Sequence, residues 1–184
     1  DHYGRAELVQ VFGRFLDRCR RGCVLPAELA GELAGHGPAE RTLFSADAGG
    51  GAVVVCPTSY EPGPRGASFS IAGAGRVTSA MFGRHSATNA AAAAAAVRAA
   101  GVTAAPADLA RALGSFRGIR QCFEYVGATA AGIPVYNDYA HNVQKIAAAI
   151  ATAREAAGSP LLLLFQPHGY GPFGFMRQAL RETL

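Results

Sequence analysis

A single lysine, Lys145, stands among 184 residues, and no G-x-x-x-x-G-K-[ST] loop occurs. The chain therefore carries no P-loop of its own to cradle a nucleotide's phosphates. Charged residues are scarce at 16%, while 50% of the residues are hydrophobic. That balance excludes a disordered tail, which needs low hydrophobicity and high charge. No apolar run approaches the roughly 18 residues of a membrane-spanning helix; the longest candidate, Ala90 to Val97, is short and alanine-built. No signal segment precedes the first predicted helix, so no membrane partner and a cytoplasmic location are expected. The four cysteines, Cys19, Cys23, Cys56 and Cys122, fit no usual zinc spacing and read as buried, reduced thiols, with no metal site. Nucleophile-elbow (G-x-S-x-G) and zinc-helix (H-E-x-x-H) patterns are absent as well.

The formal charge is +4, from 17 Lys plus Arg against 13 Asp plus Glu. The arginines are scattered rather than gathered on one stretch, so no nucleic-acid partner is expected. Arg5 to Arg21 reads as an amphipathic helix with Leu8, Phe12, Phe15 and Cys19 on its inner stripe. Within it, Asp17 reads as an uncommitted exposed position. A second short helix and a loop follow Pro26. Leu43–Ser45, Ala52–Cys56, Ala67–Ile71 and Arg76–Phe82 read as short strands, with turns at Gly49–Gly51 and Pro62–Pro64. Gly83 opens a helix that carries seven alanines, Ala90 to Ala96, and runs to Gly101. Pro106 starts the next helix, with Leu109, Leu113 and Phe116 facing inward. A domain boundary is expected at about residue 120.

Beyond it, Ile133–Tyr136 reads as a strand, His141–Ala157 as a helix and Leu161–Phe165 as a strand buried on both faces. Together they predict a βαβ unit with a parallel pair. Phe173 to Leu184 begins a further helix. The whole reads as an α/β portion of a longer protein.

Four polar clusters stand at element ends. Gly83–Asn89 lies at a strand-to-helix turn, where His85 and Asn89, four apart, share a helix face. They suit either a helix start or the edge of an adenine. Gly118–Glu124 lies at the domain boundary, where Arg120 suits a phosphate or solvent. Asn137–Asn142 lies at the end of a strand, the edge where open α/β sheets bind ligands; there Asp138 suits ribose hydroxyls or a helix cap, and His141 a substrate group or the solvated surface. Phe165–Pro172 lies at the end of the next predicted strand and includes His168.

In this order the clusters resemble motifs of the Mur ligase family, the ATP-dependent amide ligases of peptidoglycan synthesis. G-R-H-N-x-x-N-A-x-A-A is matched by Gly83 to Ala93, with Ser86 in place of the first Asn; G-V-x-R-R-F-E by Gly118 to Glu124; D-D-Y-A-H-H-P by Asn137 to Val143; and F-Q-P-H-R-Y by Phe165 to Tyr170. The resemblance implies that residues 1 to about 120 end a central ATPase-type mixed-sheet domain. Residues from about 121 would then begin a Rossmann-like parallel-sheet domain.

It also implies cofactor contacts at His85, Asn89, Asp138 and Tyr139, catalytic roles for Asp138, His141 and Arg120, and substrate contacts at His141, Asn142 and His168. The implied small-molecule partners are ATP, a UDP-sugar carboxylate and an amino acid, with L-alanine and UDP-N-acetylmuramate as the first choice. Magnesium is implied too, its ligands mostly outside this stretch. Another Mur-type or folylpolyglutamate-like ligase, or a non-catalytic nucleotide-binding relative, are the alternatives. Gln121 and Cys122 stand where the motif has two arginines, with Arg120 next to them. The chain by itself is expected to be inactive.

Overall fold

The computed structural model describes residues 4–47, 54–157, 160–167 and 169–183. In chain order the elements are α1 (Arg5–Leu16), β1 (Cys23–Pro26), a 3-10 turn (Ala27–Leu29), β2 (Arg41–Phe44), β3 (Val54–Val55), β4 (Pro57–Gly63), β5 (Gly66–Ile71), β6 (Gly75–Ser79), α2 (Arg84–Ala99), α3 (Pro106–Ser115), β7 (Glu124–Ala128), β8 (Pro134–Asn137), α4 (Val143–Ala157) and α5 (Tyr170–Thr183). This is the α/β mixture expected, with both parallel and antiparallel pairs. The chain divides into two compact units. One holds the residues up to Glu61, Ser68–Thr78 and Arg84–Ser115; the other holds Pro62–Ala67, Ser79–Gly83 and the residues from Phe116 onward.

In the first unit β1, β2 and β3 form a parallel sheet in that order, with Leu25 opposite Leu43 and Phe44 opposite Val55. Helix α2 lies against all three strands. Its buried residues are Ala87, Ala91, Ala94 and Ala95, none more than 1% exposed. That spacing is one face of a helix, and because every member is alanine the helix backbone can approach the sheet closely. Phe69, Ile71, Val77 and Leu109 complete this core. In α3, Leu109 is buried as expected, whereas Phe116 lies beyond the helix and is 52% exposed.

A second core gathers Leu16, Cys23, Leu25 and Leu33. Burial there pushes the Cys23 thiol above its ordinary pKa, which keeps it protonated and unreactive. Cys23 alone among the four cysteines is buried; Cys122 is exposed, contrary to the expectation of four buried thiols.

The inner face of α1 also differs from the hydrophobic periodicity. Gly13 and Leu16 are buried, while Phe12 and Phe15 are 54% and 64% exposed. The cause is a stitch at the helix end. Asp17 caps α1, its Oδ1 accepting the Gly37 N–H at 2.8 Å and its Oδ2 standing 3.0 Å from His36 Nδ1. The His36 ring thereby covers Gly13, where a Cβ would come within 2.6 Å of it. Asp17 is thus committed, and the helix stops at Leu16 rather than running to Arg21.

The Gly37 N–H, then the His36 hydrogen bond, lower the Asp17 pKa. A depressed carboxylate contributes stability that is present above its unfolded pKa and lost as pH falls through its folded pKa. Below about pH 4, Asp17→Asn is expected to flatten the loss of stability seen in the parent chain. Urea midpoints between pH 2 and 6 check this; parallel curves for the two proteins would contradict it.

In the second unit β7 and β8 pair antiparallel, Glu124 opposite Asn137 and Tyr125 opposite Tyr136. The predicted parallel βαβ pair does not form among the described residues. Residues 161–165 belong to no strand, and Leu162 and Leu164 are 99% and 96% exposed. A short turn makes the antiparallel pair a local closure, and Tyr125 and Tyr136 meet across it, ring centroids 5.6 Å apart. A wholly apolar strand, by contrast, needs cover on both faces, which the described residues do not provide. Helix α4 starts at Val143, because Asn142 Oδ1 accepts the Lys145 N–H at 2.9 Å and caps it. Ile146 and Thr152 are its buried residues, and it packs against α5.

Candidate functional site

Two groups of the expected residues can be placed, one in each unit. In the first unit His85 and Asn89 sit in the opening turns of α2, on one face and both exposed. His85 Nε2 lies 3.3 Å from Ser86 Oγ. Thr88 Oγ1 donates to the Arg84 carbonyl at 3.2 Å, and the Arg84 guanidinium lies 5.0 Å from the centre of the Tyr60 ring. The turn therefore presents an imidazole and a carboxamide to solvent beside a cation fixed on an aromatic face.

In the second unit the chain between α3 and β7 is tied to the loop after β8. The Phe123 N–H donates to Asp138 Oδ2 at 2.8 Å, and the Tyr139 N–H donates to the Gln121 carbonyl at 2.7 Å. Phe123 stacks on Tyr136 with ring centroids 4.5 Å apart, and Phe82 meets Phe123 edge-on at 6.2 Å. A cavity of about 300 Å3 opens here, lined among others by Met81, Phe82, Arg117, Arg120, Phe123 and Tyr136. Its wall offers aromatic faces and two guanidinium groups, a chemistry suited to a flat or anionic group.

His141 precedes α4, and its Nδ1 lies 2.9 Å from the Tyr139 carbonyl. A proton on Nδ1 would donate to that oxygen and leave Nε2 as the acceptor. Arg120, Asp138, Tyr139 and His141, all exposed, are thus brought onto one pair of connected loops. Asn142 spends its side-chain oxygen on the α4 cap. His168 lies outside the described residues. Sequence reasoning passed over Arg117 and Glu124. Glu124 Oε2 accepts the Gln121 N–H at 2.9 Å; the motif containing Glu124 was visible, but that contact depends on a backbone turn that no spacing rule reports.

Among the described residues no group of three or more His, Cys, Asp or Glu side chains could hold a metal ion, so no magnesium ligand is assigned to them. Nor is any helix of the described residues long and apolar enough to cross a membrane.

The fold is one that solved Mur ligases and folylpolyglutamate synthases share. The structure aligns with a UDP-N-acetylmuramate–alanine ligase of Thermotoga maritima at a TM-score of 0.62 and 24% identity, over 85% of this chain and 34% of that one. It also aligns with a folylpolyglutamate synthase complex (FPGS with AMPPCP and folate) at 0.72 and 14% identity, over 99% and 45%. In sequence the chain is 34% identical over 180 residues to a UDP-N-acetylmuramate–L-alanine ligase of Kineococcus radiotolerans. It is 37% identical over 179 residues to the corresponding ligase of an Arthrobacter species. Each match covers 91% of this chain and 37% of the relative. No family model matches. On these relationships the chain is similar to Mur ligases over nearly all of its length, and it spans a little over a third of the length of the curated relatives it matches.

Proposed function

We propose that this chain is part of an ATP-dependent, ADP-forming ligase that joins L-alanine to UDP-N-acetylmuramate. The observation that supports the reading best is the similarity to ligases of that name over 91% of the chain. In this reading residues 1 to about 120 end the nucleotide-binding domain, and residues from about 121 begin the C-terminal domain.

ATP phosphorylates the carboxylate of the sugar substrate, releasing ADP and leaving an acyl phosphate. The amine of the amino acid then attacks the acyl carbon, the amide forms and inorganic phosphate departs. His85 and Asn89 contact the adenine edge, a carboxamide supplying both a donor and an acceptor. Asp138 and Tyr139 face the ribose side, and Arg120 offers charge to the phosphates from a preset loop. His141 and His168 orient the amino acid, and Asn142 contributes through its remaining amide Nδ2. Magnesium, when bound, neutralises phosphate charge.

The test is turnover by the complete protein that contains this chain. Continuous, multiple-turnover release of ADP and phosphate is expected to require UDP-N-acetylmuramate and L-alanine together. Release with a folate or with a different UDP-sugar peptide would move the assignment to another branch of the family. The 184-residue chain alone is expected to show no ATP turnover; measurable ADP formation by it would refute the reading of it as a part.

One observation favours a second reading. Gln121 and Cys122 occupy the positions of the two motif arginines, and neither carries a positive charge. A relative that binds nucleotide without turning it over would keep the loops and lose those cations. Nucleotide affinity in the complete protein without ligase activity under any acceptor would establish it.

A further inference from the structure

Between α3 and β7, two residues hold a backbone conformation that L side chains rarely adopt: Gln121 at φ +61° and Phe123 at φ +47°. For a long or bulky side chain this costs free energy, and it persists only where the surroundings over-determine it. The stacked ring of Phe123 on Tyr136 fixes a side chain, but it does nothing for Gln121, which is exposed. The restraint lies in two carboxylates at the same end of the β7–β8 hairpin. Glu124 Oε2 takes the Gln121 N–H at 2.9 Å, and Asp138 Oδ2 takes the Phe123 N–H at 2.8 Å. With its N–H held, the Gln121 carbonyl accepts the Tyr139 N–H at 2.7 Å. Hydrogen bonds to an ionised acceptor are roughly twice as strong as neutral ones, which suits a latch on strained backbone.

We propose that Glu124 and Asp138 are positioning residues, a carboxylate latch that holds Gln121 and Phe123 in their left-handed conformation and so joins the loop between α3 and β7 to the loop after β8. The latch rests on geometry alone; its bearing on nucleotide use rests on the function proposed above. On that function, Glu124 acts through the loop without touching substrate. Asp138 serves twice, through Oδ2 on the Phe123 N–H and through its other oxygen on the ribose. Any ligand that orders Asp138 also orders the backbone carrying Arg120.

The Tyr139 amide reports the loop, because its acceptor is the Gln121 carbonyl. In this chain, Glu124→Ala is expected to speed hydrogen exchange at Tyr139 by about tenfold. Adding Gln121→Gly should restore most of the protection, because glycine adopts a positive φ without the latch. A contribution through general hairpin packing would not be rescued that way. Asp138→Ala should release the Phe123 and Tyr139 amides, while amides of the β7–β8 ladder stay protected. Should alanine unfold the hairpin, Glu124→Gln decides, since it keeps an acceptor oxygen without the charge: partial loss at Tyr139 supports the latch, and no loss overturns it. Unchanged Tyr139 exchange in Glu124→Ala, or failure of Gln121→Gly to rescue it, also overturns it. These readouts need no nucleotide, so a failure of the proposed function leaves the latch standing. The reverse case is Glu124→Ala in the complete protein, where kcat should fall with little change in KM for ATP. A fall through KM alone would place Glu124 on the nucleotide instead.

Discussion

Gly66→Ala is expected to cost this chain more stability than Gly75→Ala or Gly31→Ala. Gly66 opens β5 with φ +128°, a value open to glycine and strained for alanine. A Cβ there would overlap the Ser79 carbonyl oxygen and lie 2.8 Å from the Ala80 backbone. Those obstacles are main chain, so they cannot swing aside. Strain and overpacking each cost about 1–3 kcal/mol, so their sum is a large share of the roughly 5–15 kcal/mol that holds a typical domain together. Two other glycines separate the contributions. Gly75 also has positive φ, +79°, but nothing within 4 Å of its added Cβ, so Gly75→Ala should show the backbone strain alone, about 1 kcal/mol. Gly31 has neither constraint, and Gly31→Ala should be within about 0.5 kcal/mol of the parent. Urea denaturation of the three variants checks the order. Equal midpoints for Gly66→Ala and Gly75→Ala would show that β5 and the Ser79–Ala80 backbone are not in close contact.

The largest effect on chemistry is expected at Asp138. In the complete protein Asp138→Ala would remove both the proposed ribose acceptor and the tie to the Phe123 N–H, and kcat/KM for ATP should fall on the order of a hundredfold. Asn89→Ala removes one neutral hydrogen-bonding group at the purine edge and should cost about tenfold, chiefly in KM. Asp17 is unsuitable as the control, because it caps α1 and holds Gly37 and His36. Glu28, exposed in the turn after β1, serves instead, and Glu28→Ala should leave turnover as it is. Equal activity in Asp138→Ala and Glu28→Ala would remove the loop after β8 from the site.

The elements with strong local signals were legible from the residues. Alanines 90–96 and the turn at Gly83 marked α2, Pro106 marked the start of α3, and Leu109 was correctly read as inward. The misses have physical causes. Strand β1 is four residues ending in proline and owes its existence to pairing with a strand 18 positions on, Cys23 with Arg41. Strand β4 begins at Pro57 and runs through Pro62, so it reads as punctuation; proline fits the first position of a strand or an edge. On α1 the approach is made by a residue without a side chain, Gly13, which hydrophobic periodicity cannot score. Leu161 to Leu164 carry the pattern of a buried strand, but pattern alone does not supply a neighbour. At the site, residue types at element ends were legible as clusters. The Phe123–Asp138 tie was not, because it links a backbone group to a side chain 15 positions away.

The most direct test is a crystal structure of the complete protein with ADP. The account predicts the purine against His85 and Asn89, and the ribose hydroxyls on Asp138 with its Phe123 contact kept. A nucleotide bound elsewhere, with both the head of α2 and the loop after β8 bare, would contradict it.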